Sequence, residues 1–219
     1  MAIELLLIGG SPYAWRVQLA LEHKRIDYTT RVLSMSNGDL RSPEFLALNP
    51  RGRVPVLRDG ELVVSESLAI LAYLERRHPH DPIFGETAEQ GAAIWRIVSE
   101  YTSYVDPAVE ELILPIYFGR AAEQADTVRR AAEVITRELA TYERMLAQAP
   151  FLAGDAPTAA DFVVFPHVQS ISRAASKPAA AAFELPFSPI ARRHPAIGAW
   201  IDRIAQTPGY ERTYPPNWR

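Results

Sequence analysis

The chain has 219 residues, 48% of them hydrophobic and 22% charged, the balance of a folded globular protein long enough for one substantial domain or two smaller ones. A formal net charge of −3 offers no attractive field to nucleic acid or to an anionic membrane, and the paired arginines Arg76–Arg77 and Arg192–Arg193 make no basic patch. Cysteine is absent, which excludes disulfides, Cys–zinc sites and a protein-thiol nucleophile.

Met1–Ala2–Ile3–Glu4 carries no basic leader, and the apolar run that follows is too short for a signal or a membrane span. A soluble, cytoplasmic protein is the expectation. Ile3–Ile8 reads as a strand buried on both faces. Ser11–Pro12 pairs a capping residue with proline at the first helical position, which predicts a helix from there to about Lys24. Asp27–Leu33 has the β-branched content of a strand, and Ser42–Pro43–Glu44–Phe45 opens a second, short helix. Val54–Leu57 and Glu61–Val64 flank Arg58–Asp59–Gly60, and Asp–Gly between apolar strands predicts a type I′ hairpin. A helix then runs from Ser65 to Arg77 and ends at His78–Pro79. The order β-α-β-α-β-β-α matches a thioredoxin-like layer.

Beyond Pro79, Asp81 and Pro82 the helical period takes over. Gly91–Phe118 reads as one long helical segment bent at Pro107 and Pro115. Val128, Ala131, Ile135, Leu139, Tyr142 and Leu146 step by three and four. Thr158–Ala159–Ala160–Asp161 resembles a capping box, and Ile197, Trp200, Ile201 and Ile204 mark the last helix. The expected organisation is α/β followed by all-α: a thioredoxin-like N-terminal domain over 1–78, a linker over 79–85 and an all-helical domain over 86–219.

Three motifs stand in order. Ser11–Pro12–Tyr13–Ala14–Trp15–Arg16–Val17 is similar to the serine-containing opening of tau and zeta cytosolic glutathione S-transferases. Arg41–Ser42–Pro43–Glu44–Phe45–Leu46–Ala47–Leu48–Asn49–Pro50 is similar to a phi-class pattern, with Leu40 where that pattern has histidine. Val54–Pro55 and Glu66–Ser67 resemble pairs shared by most classes. The resemblance spans essentially the whole chain, and its pieces point to different classes.

The resemblance implies glutathione as co-substrate, a hydrophobic electrophile, a role in detoxification and a homodimer. It implies that Ser11 is the catalytic donor to the glutathione sulfur, where a helix N-terminus adds to the stabilisation of a thiolate; a plain N-cap is the other reading. It implies that Val54 pairs its backbone with the cysteinyl unit beside a cis Pro55; the alternative is a proline opening a strand. Glu66 would face the γ-glutamyl ammonium and Ser67 its carboxylate, or the two would merely open a helix. Arg41 and Arg53 occupy places that contact the ends of the tripeptide, or are simply solvated. The electrophile site is expected between the domains, with Tyr13, Tyr101 and Tyr104 as candidates to line it, packing being the other reading for each. The five histidines share no metal-ligand spacing, so no metal is expected.

The reaction implied is attack of the thiolate on an electrophilic carbon. Glutathione-dependent isomerisation of the maleylacetoacetate type, β-ether cleavage and dehalogenation would use the same site. A non-catalytic glutathione-binding or interaction protein is the reading from another class. Thiol-transferase chemistry is closed, since it needs a cysteine where Ser11 stands.

Overall fold

A computed structural model describes residues 3–218. The chain forms two compact units: one runs to Ile83 and takes in the segment from Thr207 onward, and the other is Phe84–Gln206. In the first, the strands are β1 (Ile3–Leu7), β2 (Tyr28–Val32), β3 (Val56–Asp59) and β4 (Leu62–Ser65), and the helices are α1 (Pro12–His23), α2 (Pro43–Leu48) and α3 (Ser67–Arg77). The sheet order is β2-β1-β3-β4. β1 is parallel to β2 and antiparallel to β3, which is antiparallel to β4. This is the thioredoxin-like layer the element order predicts.

The central place of β1 explains its unbroken apolar run. Leu5 and Leu7 pack with Val17 and Leu21 of α1, with Leu57, and with Ile70 and Leu74 of α3. Leu6 packs on the other face with Leu33, Phe45 of α2 and Val56. Successive side chains of a strand point to opposite faces, so a strand covered on both sides must be apolar throughout. Leu5 and Leu57 are 0% exposed, and each such leucine contributes ~1.5–3 kcal/mol by burial.

Both Ser–Pro pairs start helices as expected. Ser11 Oγ accepts the Ala14 N–H at 3.4 Å, and Ser42 Oγ accepts the Phe45 N–H at 3.2 Å. The hairpin also forms, but one residue later than Asp–Gly implies. Asp59 pairs with Leu62, so Gly60 and Glu61 make the turn. Of these only Gly60 has positive φ, at 61°, which is the II′ pattern and not I′.

In the second unit the helices are α4 (Ala88–Glu100), α5 (Asp106–Tyr117), α6 (Ala125–Leu146), α7 (Ala159–Ala175) and α8 (Pro195–Ala205). The segment expected over Gly91–Phe118, bent at Pro107 and Pro115, starts earlier, at a Thr87–Gln90 capping box, and is interrupted by a π turn at Tyr101–Val105. Pro107 has no N–H to give the preceding turn, and the Asp106 N–H bonds instead to the Tyr101 carbonyl five residues back. α6 buries Val128, Ala131, Ile135, Leu139, Tyr142 and Leu146, the stripe read from the sequence. The box at Thr158–Asp161 closes, and Asp161 also accepts from Leu152 N–H and Trp200 Nε1, each at 2.9 Å. Burial pushes its carboxyl above the usual range while these donors pull it back. No helix among the described residues is long and apolar enough to cross a membrane.

The expectation that the helical domain extends through 86–219 meets a difference at its end. Residues from Thr207 group with the first unit, where α9 (Tyr210–Thr213) lies against α1. The cause is Trp15. Its indole N–H donates to Thr213 Oγ1 at 2.9 Å, and the rings of Tyr210, Tyr214 and Trp218 surround it at 6.2, 5.6 and 5.3 Å. Arg212 pairs with Glu22 on the same helix. Gly10 lets this tail approach: its φ is +84°, and a Cβ there would stand 2.7 Å from Trp218 Nε1.

The far end of α1 is held by Lys24, which is 0% exposed. Its Nζ donates to the carbonyls of His78, His80 and Asp81 at 2.8, 2.9 and 3.2 Å and pairs with Glu75 at 2.8 Å. A buried ammonium is stable only with such a full set of partners. Nearby, burial holds His78 below its ordinary value, with Arg77 adding to the effect, and burial also lowers His23.

Two outcomes follow. Imidazoles with depressed folded pKa values bind fewer protons than in the unfolded chain, so their contribution is complete above about pH 6.5 and is lost as pH falls through and below it. Urea midpoints are expected to drop between about pH 7.5 and about pH 5.5, and to drop less in the His23→Gln, His78→Gln double variant; equal slopes would refute the assignment. Gly10→Ala is expected to lose ~1–3 kcal/mol in urea unfolding from its backbone conformation and the tail contact. In a cycle with Trp218→Ala the contact part should not add. Unchanged stability of Gly10→Ala would count against the tail packing.

Candidate functional site

β1 delivers the chain to the turn Ile8–Ser11, closed by the Ser11 N–H on the Ile8 carbonyl at 3.1 Å. Ser11 is half-buried at the start of α1. Its cap bond uses an acceptor lone pair and leaves the hydroxyl proton for another acceptor. The two readings of this serine are therefore compatible: one side chain can cap the helix and donate outward. No acid or base is needed to explain its placement.

The second piece is the turn before β3. Asn49, 3% exposed, donates to the Arg53 carbonyl at 2.7 Å and accepts the Arg51 N–H at 3.1 Å. Gly52 has φ +60°, and a Cβ there would meet the Arg41 guanidinium and the Leu40 carbonyl, each at 2.9 Å. Arg41 thus lies over Gly52, between Arg51 and Arg53 in the chain; all three arginines are exposed. The Val54–Pro55 bond is cis. Val54 lies outside the ladder, which begins at Val56, so its backbone edge is not committed to the sheet. Leu40 packs beside the Leu6–Phe45–Val56 cluster, an apolar use of the position where the phi pattern has histidine.

The third piece is the start of α3. Glu66 precedes it at φ +69° and ψ 113°, a region that costs a non-glycine residue on the order of 1–3 kcal/mol. Its carboxylate is 67% exposed and lies 3.9 Å from Arg51 Nε, a pairing worth little at such exposure. Ser67, 7% exposed, is the first helical residue, and its Oγ accepts from Arg16 Nη1 at 3.3 Å. Arg16 is 2% exposed, with its guanidinium 4.9 Å from the Tyr13 ring centroid.

The first unit therefore contains Ser11, Tyr13, Arg41, Arg53, Val54, Pro55, Glu66 and Ser67, with α1 joined to α3 through Arg16. Tyr101 and Tyr104 lie in the other unit. Tyr101 is 1% exposed; its ring is 5.3 Å from that of His167 and its hydroxyl donates to Asp106 at 3.4 Å. That burial favours the packing reading, one of the two given for this ring. Tyr104 is 66% exposed. Among the described residues no group of three or more His, Asp or Glu side chains could hold a metal ion.

Arg16 and Asn49 stand within the quoted motifs but had no role there, and Gly10 and the tail had none either. Arg16 gave one signal: a lone charge in the otherwise apolar run Ala14–Trp15–Arg16–Val17. Asn49 gave another, standing before Pro50 where an Asx side chain organises a turn.

A family model described as glutathione S-transferase, N-terminal domain, matches residues 10–77, and one described as glutathione S-transferase, C-terminal domain, matches residues 125–203. The chain is 38% identical over 160 residues to glutathione S-transferase 4 of Zea mays, covering 71% of each. It is 31% identical over 162 residues to a zeta-class glutathione S-transferase of Euphorbia esula, covering 73% of this chain and 72% of that one. A solved glutathione S-transferase from the Antarctic clam Laternula elliptica matches with a TM-score of 0.83 at 30% identity, covering 100% of this chain and 94% of that chain. With a serine-capped helix, a cis Val54–Pro55 bond and a Glu66–Ser67 helix start inside the first matched region, the chain belongs to the glutathione S-transferase family.

Proposed function

We propose that this chain conjugates glutathione to a hydrophobic electrophile and that Ser11 stabilises the thiolate. The observation that carries the reading is the Ser11 hydroxyl at the start of α1, its cap bond made through a lone pair and its proton left to donate. A free thiol has a pKa near ~8.5. A hydrogen bond to the charged sulfur contributes about 1.5–3 kcal/mol, or roughly one to two pKa units, and the positive end of the helix acts in the same direction.

Around that sulfur the remaining residues take complementary parts. The uncommitted N–H and C=O of Val54, presented beside Pro55, pair with the cysteinyl backbone. Glu66 meets the γ-glutamyl ammonium, Ser67 and the N–H groups of α3 meet its carboxylate, and Arg41 and Arg53 answer the glycyl carboxylate. Tyr13, two residues from Ser11, supplies an apolar ring to the electrophile. The thiol proton leaves to solvent on binding. The sulfur lone pair then forms the new C–S bond as the leaving group departs with its electron pair, or as the pair moves onto an acceptor carbonyl in an addition. Holding thiolate and target together supplies the rest of the rate.

A second copy of the chain belongs to this reading. Leu62 and Val63 on edge strand β4 are 44% and 37% exposed, an apolar edge that pairing of two copies would cover. Sedimentation at the mass of a single chain would remove this part.

Glutathione titrated at about pH 6.5 should raise thiolate absorbance, a signal expected to vanish in Ser11→Ala. Turnover of an aryl-halide electrophile by that variant is expected to fall ~10–100-fold with glutathione affinity within about twofold. Full turnover in Ser11→Ala would overturn the role given to the serine.

A further inference from the structure

We propose that Arg16 is a positioning residue for the γ-glutamyl carboxylate, acting by setting the direction in which the Ser67 hydroxyl donates. The inference rests on the glutathione reading above and extends it to Arg16, a residue inside the Ser11–Val17 motif to which the resemblance gave no role.

Arg16 rises from α1 one and a half turns past Ser11, yet its guanidinium reaches the first residue of α3. It is 2% exposed, is stacked against Tyr13 at 4.9 Å and places Nη1 3.3 Å from Ser67 Oγ. An arginine has donors only, so in this contact the serine oxygen must accept. The hydroxyl proton of Ser67 is then turned away from Arg16. The N–H groups at a helix start are donors without intrahelical partners, so the proton finds no acceptor among them, and the adjacent Glu66 carboxylate lies toward Arg51 Nε, 3.9 Å away. A serine with its lone pair occupied from behind, and N–H donors beside it, is a donor looking for an anion. That is the arrangement a carboxylate needs, and it exists before the ligand arrives.

Arg16 also brings a delocalised positive charge close behind the same oxygen. A serine hydroxyl alone rotates among its wells and can present either a lone pair or a proton. With the guanidinium in place only the productive state is offered. The fold bears the desolvation of a buried cation at this point, beside the strained backbone of Glu66. Both features meet at the helix start assigned to the γ-glutamyl end.

The test compares two peptides: glutathione, and 4-aminobutyryl-cysteinyl-glycine, which lacks only the γ-glutamyl α-carboxylate. Arg16→Met is expected to weaken glutathione ~10-fold, the worth of one charge-assisted hydrogen bond, while the analogue's affinity stays within about twofold. The effect should fall on KM for glutathione with kcat and the thiolate pKa nearly unchanged. Because Arg16 acts through Ser67, Arg16→Met should cost little further in a Ser67→Ala background. Arg16→Lys keeps a buried cation and one donor; it should recover part of the loss, and it serves where the methionine variant does not fold. Equal weakening of both peptides, or additive losses with Ser67→Ala, would show a merely structural role and overturn the inference. Wild-type protein that binds both peptides equally would place the carboxylate elsewhere, and protein that binds neither would remove the glutathione reading; either result takes this inference with it.

Discussion

β1 is sealed on one face by α1 and α3 and on the other by α2, and a strand so placed cannot slip. A shift of one residue would carry Leu5 and Leu7 to the wrong face and exchange the whole hydrophobic set. With the register pinned, the chain must leave the sheet at Ile8, and the turn that follows sets Ser11 at the head of α1. β3 and β4 are locked to the same strand. Their far end, Ser65, lies two residues before Ser67. Two helix N-termini are thereby positioned by one sheet, and the cis Val54–Pro55 bond leads into the strand between them. The candidate site is the polar rim of an apolar constraint.

Three buried ionisable groups mark the joints of this architecture. Lys24 gathers three carbonyls and Glu75 where α1, α3 and the following segment meet. Asp161 gathers Leu152, Thr158 and Trp200 at the head of α7. Arg16 spans α1 and α3. Lys24 and Asp161 each satisfy several partners, some from distant parts of the chain, and Arg16 links α1 to Ser67 at the start of α3, so each specifies which elements meet. Removing one member of such a set leaves the others desolvated and unmatched, a loss larger than the net worth of the contacts themselves. The three differ in what they face: Lys24 and Asp161 serve mainly backbone groups, with Glu75, the Thr158 hydroxyl and an indole besides, whereas Arg16 serves the side chain proposed to meet a ligand.

Much of the fold was legible in local chemistry. The apolar run Ile3–Ile8, the two Ser–Pro helix starts and the stripe of α6 are each statements about a few neighbouring residues, and local rules suffice for them. The hairpin was legible but its turn was not, because pairing of Asp59 with Leu62 moved the positive φ to Gly60 alone. The π turn at Tyr101–Val105 depends on where the Asp106 N–H finds its acceptor, which residue type does not reveal. At the site, Ser11, Val54, Pro55, Glu66 and Ser67 stood in recognisable motifs. Arg16 and Asn49 lay inside the motifs as well but without a role of their own, since their importance lies in the direction of their side chains. The tail was hidden for a simpler reason. Tyr210, Tyr214 and Trp218 recur every four residues, but Trp15, which they enclose, lies some two hundred residues earlier, and no sequence period links the two.

The tail's attachment bears on the order in which a newly made chain matures. The Gly10 turn is translated first, the indole that packs on it belongs to Trp218, and all of Phe84–Gln206 must be made in between. At ~5–20 residues per second the roughly two hundred residues that separate Trp15 from the tail give an interval of roughly 10–40 s. Throughout it Trp15, 1% exposed in the finished protein, lacks its covering rings and stands as an apolar surface on the nascent polypeptide. Such a surface invites holdase chaperones and off-pathway association. The Ser11 turn, made long before the tail, thus reaches its final form only after the tail has arrived.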